Sequence, residues 1–307
     1  MARCSDQNQG QETSGRNFIL EQILIMKFKI FILMALAAAV SACKSADRST
    51  LTVRLMTYNV GVFDKYEESG VGLTASFINE LSPDVLILNE VDSCATRTGS
   101  VDQLSALSEA TGAYEGCFAP ALKPFQGGAY GIAQMWKSDM RQPLDIIKVI
   151  LPKGDGSEPR AMVAVEYEDI VVAGTHLDHK SKGAQLKQAQ MITDTLVSMY
   201  GGKGKPVFLC GDFNALPDSN TLQWLREYWD VLSPELTTYP DAGKLSQISP
   251  LPQTARETPG KCIDYIMVLK GSCTYETASA EVCVRLESGS AFAASDHLPV
   301  YVDVRIR

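Results

Sequence analysis

Apolar residues recur along this chain in short runs that fit strands, over 51–58, 85–88, 131–136, 144–151, 161–167, 170–175, 207–210, 262–269, 275–286 and 298–306. Apolar positions spaced three and four apart predict helices over 73–81, 103–110, 184–199 and 220–227. Helices separate some of the strand runs, whereas those between 131 and 175 follow one another directly, which excludes a purely parallel, doubly wound sheet. The expected fold class is therefore α/β: a four-layered α/β/β/α sandwich with two mixed β-sheets packed face to face and helices outside. No linker, charge run or repeat interrupts 51–307, so this stretch is one domain.

Polar residues break the pattern where the apolar runs end. Asn59 follows Thr57-Tyr58, and Asn89-Glu90-Val91-Asp92 follows Leu86-Ile87-Leu88. The same happens at Thr175-His176-Leu177-Asp178, Gly211-Asp212-Phe213-Asn214, Ile263-Asp264-Tyr265 and Ser295-Asp296-His297. Strand interiors want Val, Ile and Leu, so recurrent carboxylates, carboxamides and imidazoles at strand ends point to one shared cleft. Glu90 and Asp212 emerge where solvation is poor, which sets them apart from ordinary loop acids. Asp178 and His179 carry less weight, because a polar loop before a helix starting near 184 would look the same. Oxygen donors such as Glu90 and Asp296 select Mg²⁺ or Mn²⁺ over zinc, and Mg²⁺ needs only one or two carboxylates because it keeps several waters.

The 307 residues carry a formal net charge of −8 with a pI near 5.0, which disfavours an avid binder of duplex nucleic acid. Near the amino terminus, Lys27 and Lys29 precede an apolar run over 30–40 and then Val40-Ser41-Ala42-Cys43. This resembles a bacterial lipoprotein signal peptide with its lipobox, covering 26–43 and followed by a short tether over 44–50. It implies acylation of Cys43 and an exported, membrane-anchored protein of the cell envelope. Residues 1–25 would bury that signal inside the chain, so translation is expected to start at Met26 with 1–25 as an upstream extension. Export permits disulfides, and Cys273–Cys283 and Cys94–Cys117 are the expected pairs; Cys210, inside a strand, is expected to act as a small core hydrophobe.

The order and spacing of the six segments resemble the endonuclease/exonuclease/phosphatase family, over about residues 51–307. Arg97, Gly127-Gly128-Ala129-Tyr130-Gly131 and Thr238-Tyr239-Pro240 agree with the resemblance. It implies that Glu90 binds the metal directly, with Asn59 and Asp296 in or near its shell. It further implies that Asp212 activates the attacking water, Asn214 donates to a phosphate oxygen, and His297 contacts the phosphate with Asp264 holding its tautomer. His176 would be a general acid for the leaving oxygen, with Arg97 and Asp178 in substrate binding. This chain departs from the family's usual pattern at Asn89, where Gln is common, at Ile132 and Trp136, and at Gln185, where Arg is common.

The resemblance implies a monomeric, Mg²⁺-dependent phosphoesterase (Mn²⁺ being the second candidate) that hydrolyses a phosphodiester or phosphomonoester of a small molecule or lipid headgroup by in-line attack of an activated water. A secreted deoxyribonuclease-type endonuclease is the alternative, supported by His176, His297 and Arg97. A non-catalytic binding lipoprotein on the same fold is the second alternative.

Overall fold

The computed structural model describes residues 50–307 apart from 67, 68 and 140. The upstream extension 1–25, the signal and lipobox 26–43 with Cys43, and residues 44–49 of the tether lie outside the described residues. Among the described residues no helix is long and apolar enough to cross a membrane.

The strands in chain order are β1 Leu51–Asn59, β2 Val85–Ser93, β3 Tyr114–Phe125, β4 Gly128–Lys137, β5 Asp145–Leu151, β6 Arg160–Glu166, β7 Val171–His176 and β8 Val207–Asp212. They continue with β9 Trp229–Val231, β10 Tyr239–Pro240, β11 Gly260–Lys261, β12 Asp264–Leu269, β13 Tyr275–Val282, β14 Arg285–Leu286, β15 Gly289–Ser290 and β16 Val300–Ile306. The helices are α1 Val71–Leu81, α2 Gln103–Thr111, α3 Lys182–Tyr200, α4 Asn220–Tyr228 and the short α5 Ala242–Leu245 and α6 Ala291–Ala294. Two mixed six-stranded sheets form, in the orders β13-β16-β1-β2-β4-β3 and β5-β6-β7-β8-β12-β9.

Alternation along the central strands explains the layering. In β6, Val163 and Val165 join Val53, Leu55 and Ile87 in the core between the sheets, while Met162 and Ala164 face Ile192 and Leu196 of α3. β8 divides the same way, Phe208 and Cys210 inward, Val207 and Leu209 toward the helices. A period of two with both faces apolar is what a sheet buried on both sides demands. The α/β sandwich expected from the pattern is the observed fold.

β3 is a strand that the apolar pattern does not predict. It carries Gly116, Pro120 and Pro124, and its register with β4 slips between Pro120 and Leu122 and again between Leu122 and Phe125. Proline is tolerated there because β3 is an edge strand with bulges. The strand expected over 275–286 stops at Val282, and Arg285–Leu286 pairs separately with Gly289–Ser290.

Neither expected disulfide forms: all six cysteines among the described residues are free thiols. Cys273 precedes and Cys283 follows the single strand β13 rather than flanking a hairpin, a separation of roughly 25 Å along the chain. Cys94 follows Ser93, which pairs with Ala129, whereas Cys117 pairs with Gln134, about 16 Å away along β4. A disulfide needs Cα atoms within about 7 Å. Cys210 is the buried core hydrophobe it is expected to be.

Candidate functional site

Topology brings the six polar segments to one rim. β1 and β2 run parallel, their pairing ending at Asn59 opposite Asn89 with Glu90 next along β2, while β16 is antiparallel to β1 and so begins at that rim, just after Asp296-His297. In the facing sheet β7 and β8 run parallel with His176 opposite Asp212, and antiparallel β12 starts with Asp264 opposite Asp212. The two sheets are stitched at this rim by Asn89, which donates to the Thr175 carbonyl at 2.8 Å and accepts from the Asp212 amide at 3.0 Å. The shorter carboxamide therefore still makes a structural pair of bonds beside the metal-binding candidate.

Glu90 sits at a bulge between β2 and β4 with φ of 56°, a left-handed conformation rare for this residue type, which turns its carboxylate out of the sheet and into the cleft. Across from it, Asp296 presents its own carboxylate. The Lys65 ammonium stands between them, 3.5 Å from Glu90 Oε2 and 3.3 Å from Asp296 Oδ2. Two carboxylates converging on one cationic nitrogen define a seat whose donors suit a hard divalent cation. Asn59, expected in or near the metal's shell, lies beside the seat with its side-chain nitrogen turned toward the acids. Its Oδ1 accepts from the Gly61 amide at 3.0 Å, and its Nδ2 donates to Glu90 Oε1 and Asp212 Oδ2, each at 3.1 Å. Asn59 thus spaces and orients the two acids.

Behind this seat lies a buried relay. His297 Nδ1 is 2.9 Å from Asp264 Oδ2, and its Nε2 is 3.6 Å from Asp212 Oδ2. Thr238 Oγ1 accepts from the backbone amides of Ile263 and Asp264, and Ser295 Oγ accepts from the His297 amide while donating to the Asn59 carbonyl. Burial alone would favour the neutral His297 ring, but Asp264 and Asp212 outweigh it and raise its pKa to about 10. Asp212 is pushed up to about 7, first by burial and then by the Asp264 charge, with His297 and the Asn214 amide pulling the other way. Asp212, Asp264 and His297 lie close enough together to be considered as metal ligands. An imidazolium carries a proton on each nitrogen and has no lone pair for a metal, which suits this trio to acid–base chemistry while His297 is charged.

His176 sits in a different electrostatic setting. Arg160 brings Nη1 to 3.2 Å from His176 Nδ1 and Nη2 to 3.0 Å from His179 Nδ1, while Glu158 Oε1 lies 3.0 Å from Nη1. Burial first, then the Arg160 charge, drive the His176 pKa well below its usual value. A guanidinium only donates, so Arg160 calls for a lone pair at His176 Nδ1, while Nε2 faces Asp212 Oδ2 at 3.4 Å and the Asn214 side-chain nitrogen at 3.0 Å. Burial and Arg160 both work against the imidazolium that the general-acid expectation for His176 needs. Asn214 follows β8 in a left-handed backbone conformation. Its φ is 49°, and its side-chain nitrogen lies 3.0 Å from His176 Nε2 and 3.1 Å from the Leu177 carbonyl it donates to. Gln185, buried under this turn, donates to the Asn214 carbonyl at 2.7 Å. Gln185 thus fixes the turn that presents Asn214.

Two expected substrate contacts are corrected. Arg97 gives Nε and Nη2 to the two oxygens of Asp92, each at 2.8 Å, and stacks 4.8 Å and 5.0 Å from the Phe125 and Tyr130 rings. It lines a separate shallow groove with Val62, Phe63 and Gln103. Asp178 is fully buried and accepts from Ser157 N and Oγ and from the amides of Lys180 and Ser181. Burial opposes its charge, but these donors together bring its pKa down to about 2. Asp178 organises loops. Replacing it by Asn leaves one oxygen where two serve the four donors, turns an NH₂ toward the other two, and is expected to cost about 2–4 kcal/mol of stability at pH 7, read by urea unfolding. Because its folded pKa is depressed, that stability is complete above the ordinary carboxylate range and is lost as pH falls through about 2. A loss below about 1 kcal/mol would remove this role.

The cleft at the rim has a volume of about 480 Å³ and is lined by Glu90, Asp212, Asn214, Asp296, both relay and neutral histidines, and a cationic margin of Lys65, Arg160, Lys182 and Lys261. Tyr239 covers His297 with ring centroids 4.8 Å apart. Arg160 and Lys65 escape a reading by sequence alone. The one available trace of Arg160 is a guanidinium opening the otherwise apolar run Ala161-Met162-Val163.

The chain from residue 56 to residue 297 matches the sequence profile of the Endonuclease/Exonuclease/phosphatase family. No curated protein sequence matches it. Among solved structures it resembles an endonuclease/exonuclease/phosphatase from Bacteroides vulgatus, at 18% identity and TM-score 0.64 over 84% of this chain and 100% of that one. It also resembles a mannosyl-6-phosphatase from Bacteroides thetaiotaomicron, at 16% identity and TM-score 0.64 over 82% and 99%. A third likeness is to ANGEL2, a 2',3'-cyclic phosphatase, at 17% identity and TM-score 0.58 over 83% and 95%. These structural likenesses give the fold, and the profile match spanning most of the sequence gives the membership: the chain belongs to the endonuclease/exonuclease/phosphatase family.

Proposed function

We propose that the protein is a Mg²⁺-dependent phosphoester hydrolase acting on a small molecule or a lipid headgroup. The observation that carries this reading is the pairing of Glu90 and Asp296 around one cationic seat beside the Asp212–His297–Asp264 relay. Glu90 and Asp296 would hold the divalent cation, which supplies Lewis-acid charge to a phosphoryl oxygen. Asp212, with a raised pKa, takes the proton of the attacking water. The His297 imidazolium, held by Asp264, donates to a phosphoryl oxygen that gains charge in the transition state. His176 and the Asn214 carboxamide, adjacent on the facing strand ends, steady another such oxygen without a change in protonation.

The size of the cleft supports the substrate class. About 480 Å³ suits a compact ligand, in the usual range of roughly 300–1,000 Å³. The cationic margin supplies few contacts for a long phosphate backbone, and the chain as a whole is acidic. Two structural neighbours named as phosphatases, one for a mannosyl phosphate and one for a 2',3'-cyclic phosphate, support phosphate esters of sugars and nucleosides as the first compounds to try. Anchoring at Cys43 and residence on the cell envelope form part of the proposal; a mature amino-terminal peptide without acyl mass at Cys43 would remove that part.

The test is turnover by the purified protein on plasmid DNA, RNA, sugar phosphates, inositol phosphates, sphingomyelin and bis-p-nitrophenyl phosphate, with and without EDTA. The expected result is hydrolysis of small or lipid phosphoesters that EDTA abolishes and Mg²⁺ restores. Dominant cleavage of plasmid DNA would favour the deoxyribonuclease-type alternative, and turnover indifferent to EDTA would overturn the metal assignment.

A further inference from the structure

Lys65 reaches the cleft by a route the backbone has been shaped to allow. It follows the one-turn helix Gly61–Phe63 at the end of β1, and Gly61 has φ of 53°. A Cβ built on Gly61 would stand 2.3, 2.4 and 2.9 Å from Cε, Cγ and Cδ of Lys65, so the lysine stem lies directly on the glycine backbone. The Gly61 amide is itself tied to Asn59 Oδ1, the residue that spaces Glu90 from Asp212. The ammonium at the end of this stem meets Glu90 and Asp296 at 3.5 and 3.3 Å.

We propose that Lys65 is a built-in counter-cation for the Glu90–Asp296 seat, exchanged for the divalent cation, so that docking of the lysine and binding of the metal are mutually exclusive. This rests on the metal-dependent reading above. Two converging carboxylates repel one another unless a positive charge lies between them. Mg²⁺ requires its oxygens at about 2.0–2.1 Å in near-octahedral array. An ammonium 3.3–3.5 Å from those same oxygens fills the space in which the ion and its waters would sit. The lysine stem is flexible and its charge compact, so it leaves by side-chain rotation without disturbing β1 or β2. Lys65 therefore keeps both acids in place before metal arrives and weakens apparent metal affinity by competing for them.

The experiment is calorimetric titration of the EDTA-treated, dialysed full chain with Mg²⁺ and with Mn²⁺, beside Lys65→Met and Lys65→Arg and with Glu90→Gln as the control for the seat. Lys65→Met keeps the stem and removes the charge; its Kd is expected to fall by about tenfold or more, because binding no longer displaces a cation. In EDTA the same variant is expected to melt below the parent, and saturating Mg²⁺ to close the gap. Lys65→Arg is expected to bind close to the parent. A Lys65→Met Kd unchanged or weakened, while Glu90→Gln abolishes binding, overturns the exchange and leaves the metal seat standing. A parent that binds neither metal overturns both.

Discussion

Changing Asp212 to Asn is expected to lower kcat by roughly 10²–10⁴-fold while leaving the protein folded. The size of the loss follows from position. Asp212 is buried, one oxygen is taken by the Asn214 amide at 2.8 Å and the other faces the Asn59 carboxamide and both histidines, so its carboxylate is fixed at the centre of the cleft's hydrogen-bond network. Asn has the same shape and retains the oxygen that receives the Asn214 amide. The pH profile adds a second readout. A base must be deprotonated to act, so activity of the parent should rise with pH through the Asp212 pKa, pushed up to about 7 by burial and Asp264. A divalent cation nearby favours the carboxylate and moves that limb lower. The variant's residual activity should lack the limb. A kcat within about tenfold of the parent would show that Asp212 is not the base.

The site was legible in the sequence wherever its residues terminate apolar runs. Asn59, His176, Asp212, Asp264 and His297 close or open a sheet strand or lie near one, Glu90 follows the apolar run of β2, and the parallel pairs β1–β2 and β7–β8 bring them to one rim. What pattern could not supply was orientation. Glu90 faces the cleft only because a bulge gives it a left-handed backbone, and Asn59 turns its nitrogen, not its oxygen, toward the acids because Gly61 claims the oxygen. Nor does spacing reveal which groups neutralise one another. Spacing leaves Arg97 available, yet Asp92 occupies its fork, and it suits His176 to an acid's role, yet Arg160 stands against its Nδ1. The same holds for β3, whose glycine and prolines hide a strand that an edge position tolerates.

The Asp264–His297 pair should respond to mutation in a pH-dependent way that a purely structural role would not produce. With Asp264 2.9 Å from Nδ1, His297 stays an imidazolium up to about pH 10, so the alkaline limb of the parent lies above the physiological range. Asp264→Asn removes the charge that raises the pKa while keeping the shape and the backbone amide bound to Thr238 Oγ1. Burial then favours the neutral ring unopposed by Asp264, and the limb is expected to move down toward or below the ordinary histidine value of about 6.5. The loss of kcat should be on the order of 10²-fold at pH 8 and much smaller at pH 6. His297→Ala, lacking the donor altogether, should lose about as much at both. Stability carries the same sign: a folded-state pKa above the unfolded one stabilises fully below about 6.5, and that contribution fades as pH rises through about 10. Asp264→Asn should therefore melt lower than the parent at pH 8 and flatten this dependence. An Asp264→Asn profile parallel to that of the parent, merely reduced in height, would mean that Asp264 places the ring without setting its charge.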